Sequence, residues 1–369
     1  MYALSLFKVD ERSGGGNNSE LRYMATKIEI TSGSLLIGNP IMVSVTAESG
    51  LSNVTFHRVK LIVKAELSTD GKIETFELSS PCGNAEVVMF DISTALRSLA
   101  AKYDYTLVTS ATTYPYIQYS LEAYDEWMRN GILTEKDGVY ILPADNSKKL
   151  YALMGAFTSR ERHLTSGTTR DVTAFTRKPL TGEICAPGEL LVYPSAEITP
   201  LKITDTLTSG PLVNVATLEG SGAQTYGGRT IYVDPNAKNR ILFQFVNSYG
   251  VVETISAETL EEVGSSGASE VDVVTAPSSF NKPRAEVSRR SDRRAVYKCS
   301  SGYVNKEWAE WWVTEFLGGD AFRRSGHSQC WVFLGGNWLP CTVVPDDDIT
   351  LYDRSKPGLI HIDFEVRIL

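Results

Sequence analysis

Apolar and polar residues alternate with a period of two through much of this chain. The pattern is densest at residues 240–256, RILFQFVNSYGVVETIS. There Ile241, Phe243 and Phe245 share one face of an extended segment, and Leu242, Gln244 and Val246 share the other. Asn247-Ser248-Tyr249-Gly250 predicts a turn, because Asn and Gly reach the positive φ that a tight hairpin needs. Residues 251–255 are the expected return strand. TFHRVKLIVKAE (55–66) gives a second clear strand. Val59, Leu61, Val63 and Ala65 line one face, and Arg58, Lys60 and Lys64 most of the other. Val54 and Phe56 fall on the opposite parity, which predicts a bulge or bend near His57. Residues 116–127 repeat the pattern, with Ile117, Tyr119, Leu121 and Ala123 against Gln118, Ser120 and Glu122.

Further strands are expected at 27–31, 41–46, 73–78 and 85–92, separated by glycine- and proline-marked turns. STALRSLAAKY opens with a Ser/Thr cap signal and predicts one short helix near 93–102. LYALMGAF (150–157) fits strand or helix, and its surroundings favour strand. Brief strands are expected at 190–193, 200–203, 213–218 and 230–233, with GSGAQTYGG (220–228) as a loop. EVGSSGASE (262–270) resembles a linker, and ERSGGGNNSE (11–20) a mobile surface stretch.

A second period appears at 305–317. Trp308, Trp311, Trp312 and Phe316 recur at i, i+3, i+4 and i+8, which predicts a helix with one apolar face anchored on a sheet. Asn305 can cap it, Glu307 suits its positive end, and Gly318-Gly319 can stop it in a left-handed turn. CWVFLGGNWLPC (330–341) predicts a hairpin about Gly335-Gly336, with Leu334 facing Asn337, Phe333 facing Trp338 and Trp331 facing Pro340. The same register sets Cys330 opposite Cys341, on a hydrogen-bonded site, where two free thiols are expected. A turn at Gly336-Asn337 would instead set Cys330 against Val343. Residues 349–352 and 358–369 are the last expected strands, with Ile360, Ile362, Phe364, Val366 and Ile368 on one face.

These elements predict a mainly β, multi-domain β-sandwich architecture with helices near 93–102 and 305–317. The expected divisions are an N-terminal β-sandwich domain at 1–145, a smaller β domain at 146–235, and a C-terminal β domain with the Trp-rich helix at 236–369. The 369 residues suffice for such divisions. A net charge of −8 argues against a general nucleic-acid binder, which needs a basic surface. The basic run 284–298 fits a polar hairpin tip, or else a docking patch for phosphate or an acidic partner. No apolar run is long enough to span a membrane, and the first residues carry no secretion signal.

Candidate chemistry is sparse. His57, His163, His327 and His361 share no metal-ligand spacing, and the odd count of five cysteines has no Cys-x-x-Cys. Cys82, Cys185 and Cys299 are expected to be buried and reduced. Asp346-Asp347-Asp348 lacks the spaced oxygens of a calcium loop. Glu122, Asp125 and Glu126 are the only carboxylates that suggest a sugar-cleaving pair, and neighbours on one strand seldom face each other. The expectation is therefore no enzyme, no cofactor, no catalytic residue and no metal site.

Five strings occur in order: YALMGAFTSRER, FTRKP, ILFQFVNSYGVVET, EWAEWWVTEFL and NWLPCTV. Over about residues 148–369 this series resembles uncharacterised tail or baseplate structural proteins of tailed bacteriophages and of prophages in gut bacteria. GNPIMVSV and FDISTALRS fit the same company. The resemblance implies a virion subunit, tail, tail-tip or baseplate, assembled in the host cytoplasm. Its partners would be copies of itself and other virion tail proteins, met through β contacts, with no cofactor. A carbohydrate-binding or receptor-binding adhesin is the alternative. A host surface glycan would be its partner, and Tyr114, Tyr116, Tyr124 and Trp127 its stacking candidates.

Overall fold

The computed structural model describes residues 27–33, 35–49, 51–135, 140–144, 149–157, 175–195, 210–237, 239–266, 271–274, 285–288, 293–318, 330–345, 358 and 360–369. The fold is mainly β, with several sheets and two short helical segments. The order along the chain begins β1 (Lys27–Gly33), β2 (Ile41–Thr46), β3 (Phe56–Leu67), β4 (Ile73–Pro81), β5 (Val87–Asp91), α1 (Ser93–Ala100), β6 (Thr112–Thr113), β7 (Tyr116–Arg129), β8 (Ile132–Glu135), β9 (Tyr140–Leu142) and β10 (Leu150–Leu153). It continues with β11 (Glu183–Cys185), β12 (Leu190–Pro194), β13 (Leu212–Thr217), β14 (Gly222–Tyr226), β15 (Arg229–Val233), β16 (Arg240–Val246), β17 (Val252–Ser266), β18 (Val271–Val274), β19 (Ala285–Ser288) and β20 (Arg293–Val304). It closes with α2 (Lys306–Trp311), a π-helical turn (Trp312–Leu317), β21 (Cys330–Leu334), β22 (Asn337–Pro345) and β23 (Ile360–Ile368).

The chain gathers into two compact units. One takes 1–104, 114–173 and 198–210; the other takes 105–113, 174–197 and 211–369. The segment 146–235 is divided between them. Its strands β11 to β15 belong to the second unit, where β13 also pairs with β6.

The first unit has two sheets, β1-β2-β5 and β10-β7-β3-β4, with β8 and β9 also on β7. Strand β3 pairs with β7 without interruption from Phe56↔Met128 to Leu67↔Ile117, so the bend expected at His57 is absent. His57 continues the buried face of Val59, Leu61, Val63 and Ala65, while Phe56 points outward. The polar face of β3 is zipped to its neighbours by ion pairs. Arg58 and Lys60 meet Glu126, Lys60 also meets Glu77 at 3.1 Å, and Lys64 meets Glu122 at 2.6 Å. Helix α1 is not capped by Ser93. The Asp91 carboxylate accepts the Ser93 N–H instead, at 2.9 Å, and the Ile41 N–H at 3.1 Å, and so ties helix to sheet.

The second unit contains a closed barrel, β16-β17-β20-β23-β22-β21, which alternation alone did not distinguish from an open sheet. Ile241, Phe243 and Phe245 of β16 point into its core with Ile255, Ile362, Phe364 and Val366. The β16–β17 turn forms as expected. Asn247 Oδ1 accepts the N–H groups of Tyr249 and Val251, and Gly250 sits at φ 76°. The outer face of β16 is buried too. Gln244 is fully enclosed and bonds the Val108 N–H and C=O at 3.0 and 2.9 Å.

The Trp-rich segment packs into the same core through Trp308, Trp311, Trp312 and Phe316. Asn305 caps it, accepting the Trp308 N–H at 2.9 Å. Asn305→Ala is expected to cost about 1 kcal/mol, read as a lower midpoint in urea unfolding. Its second half is π-helical; Gly318 follows it at φ −76°, and Gly319 lies outside the described residues.

The 330–341 hairpin has the expected register about Gly335-Gly336, and no disulfide joins Cys330 and Cys341, whose Sγ atoms lie 3.6 Å apart. Two expected loops are partly strand: β14 crosses 220–228, and β17 runs to Ser266 against β20. Main-chain pairing extends both where side-chain alternation is weak. The stretch 11–20, the strands expected at 200–203 and 349–352, His163, His327, Asp346–Asp348 and the tip 289–292 lie outside the described residues.

Candidate functional site

Among the described residues, two polar constellations are buried, one in each unit. In the barrel unit, Lys178 Nζ donates to Glu183 Oε1 at 2.7 Å and to the Thr254 carbonyl. Arg229 donates to Glu183 Oε2 and to the Pro179 carbonyl at 3.3 Å. Glu253 accepts from Thr176 Oγ1 at 2.8 Å and Asn247 Nδ2 at 3.3 Å. Glu315 accepts from Arg177 at 2.9 Å and from the Ser248 N–H at 3.0 Å. Arg177 also lies over the Tyr249 ring, 4.0 Å from its centre.

The environment pushes the carboxyls apart. Burial alone would raise Glu183, but the charges of Lys178 and Arg229 more than reverse it and hold the group below the usual carboxylate range. Burial raises Glu253, against the opposing pull of Lys178 and Arg229. Divergent carboxyls are a mark of acid–base sites. Here the Lys178 and Glu183 side chains are 0% and 2% exposed, and Glu253 is fully enclosed. What the network does is clamp residues 176–178 to β11, β15, β17 and the π-helical turn.

In the two-sheet unit, three adjacent strands bring a row of unlike donors together. Register sets His57 against Trp127 and Val59 against Asp125, so His57 and Asp125 are diagonal neighbours on the buried face. Cys82 follows Pro81, which pairs with Arg58, and the Cys82 N–H donates to the His57 carbonyl at 3.1 Å. His57 Nε2 lies 2.8 Å from Asp125 Oδ1, with side chains 4% and 0% exposed. The three donor atoms lie within 4.8 Å of one another. Burial first, then the Asp125 and Glu86 carboxylates, push the Cys82 thiol up to about 12. Cys82 is half-buried, not enclosed like Cys185 and Cys299.

The remaining sequence candidates separate. Glu122 and Glu126 pair with Lys64, Arg58 and Lys60 on one face of β7, while Asp125 points to the other, so the three carboxylates never converge. His361 is partly exposed on β23, beside Asp363 and Tyr303. Of the four stacking candidates, Tyr114 and Tyr116 are buried, and Tyr124 and Trp127 half-buried.

Neither constellation is local in sequence, so motif spacing could not find them. The available signal was parity. His57 and Asp125 each extend an apolar face by one more step of two, and a polar group there must find a buried partner.

No family model matches the chain, and no characterised protein or solved structure is significantly similar to it.

Proposed function

We propose that this chain is a structural subunit of a phage virion, from the tail, tail tip or baseplate. It is assembled in the host cytoplasm and acts through contacts with copies of itself and with other tail proteins. The reading assigns it no catalytic step. The observation that carries it is where large apolar side chains meet solvent. Strand β5 is an edge of its sheet, and its outward positions hold Val87 and Met89, 56% and 47% exposed. In the sheet β11-β15-β14, Ile184 and Tyr232 stand side by side on the outer face. Edge strands of independent proteins are commonly blunted by lysine, proline or a bulge. The edge β5 carries only Asp91 at its end. An apolar edge of this kind suits strand-on-strand pairing.

The ordered resemblance to tail and baseplate proteins supports the same reading, as does the enclosure of the barrel's charged groups. The expected result is that the chain sediments with assembled particles when a producing lysate is fractionated by density. Recovery only from the soluble fraction, with particles intact, would count against the proposal.

A further inference from the structure

We infer that His57, Asp125 and Cys82 form a binding site for one divalent ion of the zinc class, on the buried face where β4, β3 and β7 meet. The argument is independent of the assembly reading.

Imidazole, carboxylate and thiol are the three donor types that zinc sites use. In a tetrahedral site, ligand atoms lie about 3.3–3.7 Å apart, set by bonds of about 2.0–2.3 Å. The three donor atoms lie within 4.8 Å of each other, and His57 Nε2 and Asp125 Oδ1, 2.8 Å apart, share a hydrogen bond. An ion seated between them takes the place of that shared proton. The sulfur ligand excludes magnesium and calcium, which select oxygen.

Three unlike metal-ligating groups converge here from neighbouring parts of one sheet, and the His57 and Asp125 side chains are 4% and 0% exposed. A divalent cation is the partner that a buried imidazole, carboxylate and sulfur can share.

The surroundings hold the donors in place. The Glu48 N–H donates to Asp125 Oδ1 at 3.1 Å, and the Glu48 carbonyl accepts the Ala85 N–H at 3.0 Å. Asn84 Nδ2 anchors the Cys82 loop to the Leu51 carbonyl at 2.7 Å. These contacts fix first ligands from outside, as metal sites require.

The test is titration of the metal-free full chain with cobalt(II), whose thiolate complexes absorb in the near ultraviolet. The expected result is a charge-transfer band that saturates at one ion per chain and is bleached by zinc. It should be lost in Cys82→Ser and kept when Cys330 and Cys341 are both changed to serine. Zinc should also raise the Tm of the unsubstituted chain by several degrees and leave Cys82→Ser unchanged. If Cys82→Ser does not fold, Asp125→Asn takes its place, and it is expected to bind cobalt(II) at least about tenfold more weakly than the unsubstituted chain. No band with the unsubstituted chain, or a band that survives loss of Cys82 or is unaltered in Asp125→Asn, would overturn the site.

Discussion

Glu183→Gln is expected to destabilise the barrel unit by about 3–5 kcal/mol, the range for breaking a buried ion pair from one side. Glu183 holds Lys178 and Arg229 at once, and both are enclosed. Removing its charge leaves two cations away from water with no carboxylate between them. The effect depends on pH in a fixed sense. Because the folded carboxyl lies below its ordinary value of 4.5, its contribution is fully present above that value and fades as pH falls through the folded one. The gap between the unsubstituted chain and Glu183→Gln should therefore close on acidification. Glu253 behaves oppositely. Burial raises it, so its protonated form fits the fold better, and stability is lost as pH rises from the ordinary value through the raised one. Glu253→Gln should cost far less than Glu183→Gln at neutral pH. Urea unfolding of the two variants from about pH 2 to about pH 8, which spans both carboxyl windows, measures both statements. Equal costs at neutral pH would show that the clamp does not work as described.

Trp312→Ala is expected to cost about 3–5 kcal/mol, as for a large aromatic removed from a packed core. The Trp312 ring is 2% exposed. It touches Trp311 at 5.7 Å, Phe316 at 5.1 Å and Phe364 of β23 at 5.7 Å between ring centres. Phe316 in turn meets Phe243 and Phe245 of β16. The π-helical turn is thus held to the barrel through one ring cluster, and a cavity there would weaken several contacts together. Trp338→Ala supplies the contrast. It lies half-buried on the outer hairpin against Phe333, so its loss should shift the unfolding midpoint much less.

The strands were legible because side-chain parity and main-chain pairing agree in them. β2, β3, β7, β16 and β23 fall where alternation placed them, and Trp331↔Pro340 pairs as the Gly335-Gly336 turn requires. Closure of the barrel was not legible. Alternation says which face of β16 is apolar, but not that β21 lies on one side of it and β17 on the other. Nor could residue spacing assemble Lys178, Glu183, Arg229, Glu253 and Glu315, which meet through the fold alone. His57 is the instructive miss. Phe56 and Val54 break the parity, and that predicts a bend. The strand in fact keeps its register, turning Phe56 to solvent and burying the imidazole. Burial of a polar group at the end of an apolar face was the readable sign.

The role proposed for this chain is to join copies of itself, and its mass in solution tests that proposal most directly. Sedimentation over a graded concentration series should give a defined oligomer, and Val87→Lys with Met89→Lys should shift it toward the single chain by placing charge on the β5 edge. A single-chain mass at every concentration, for a protein also absent from purified particles, would contradict the account.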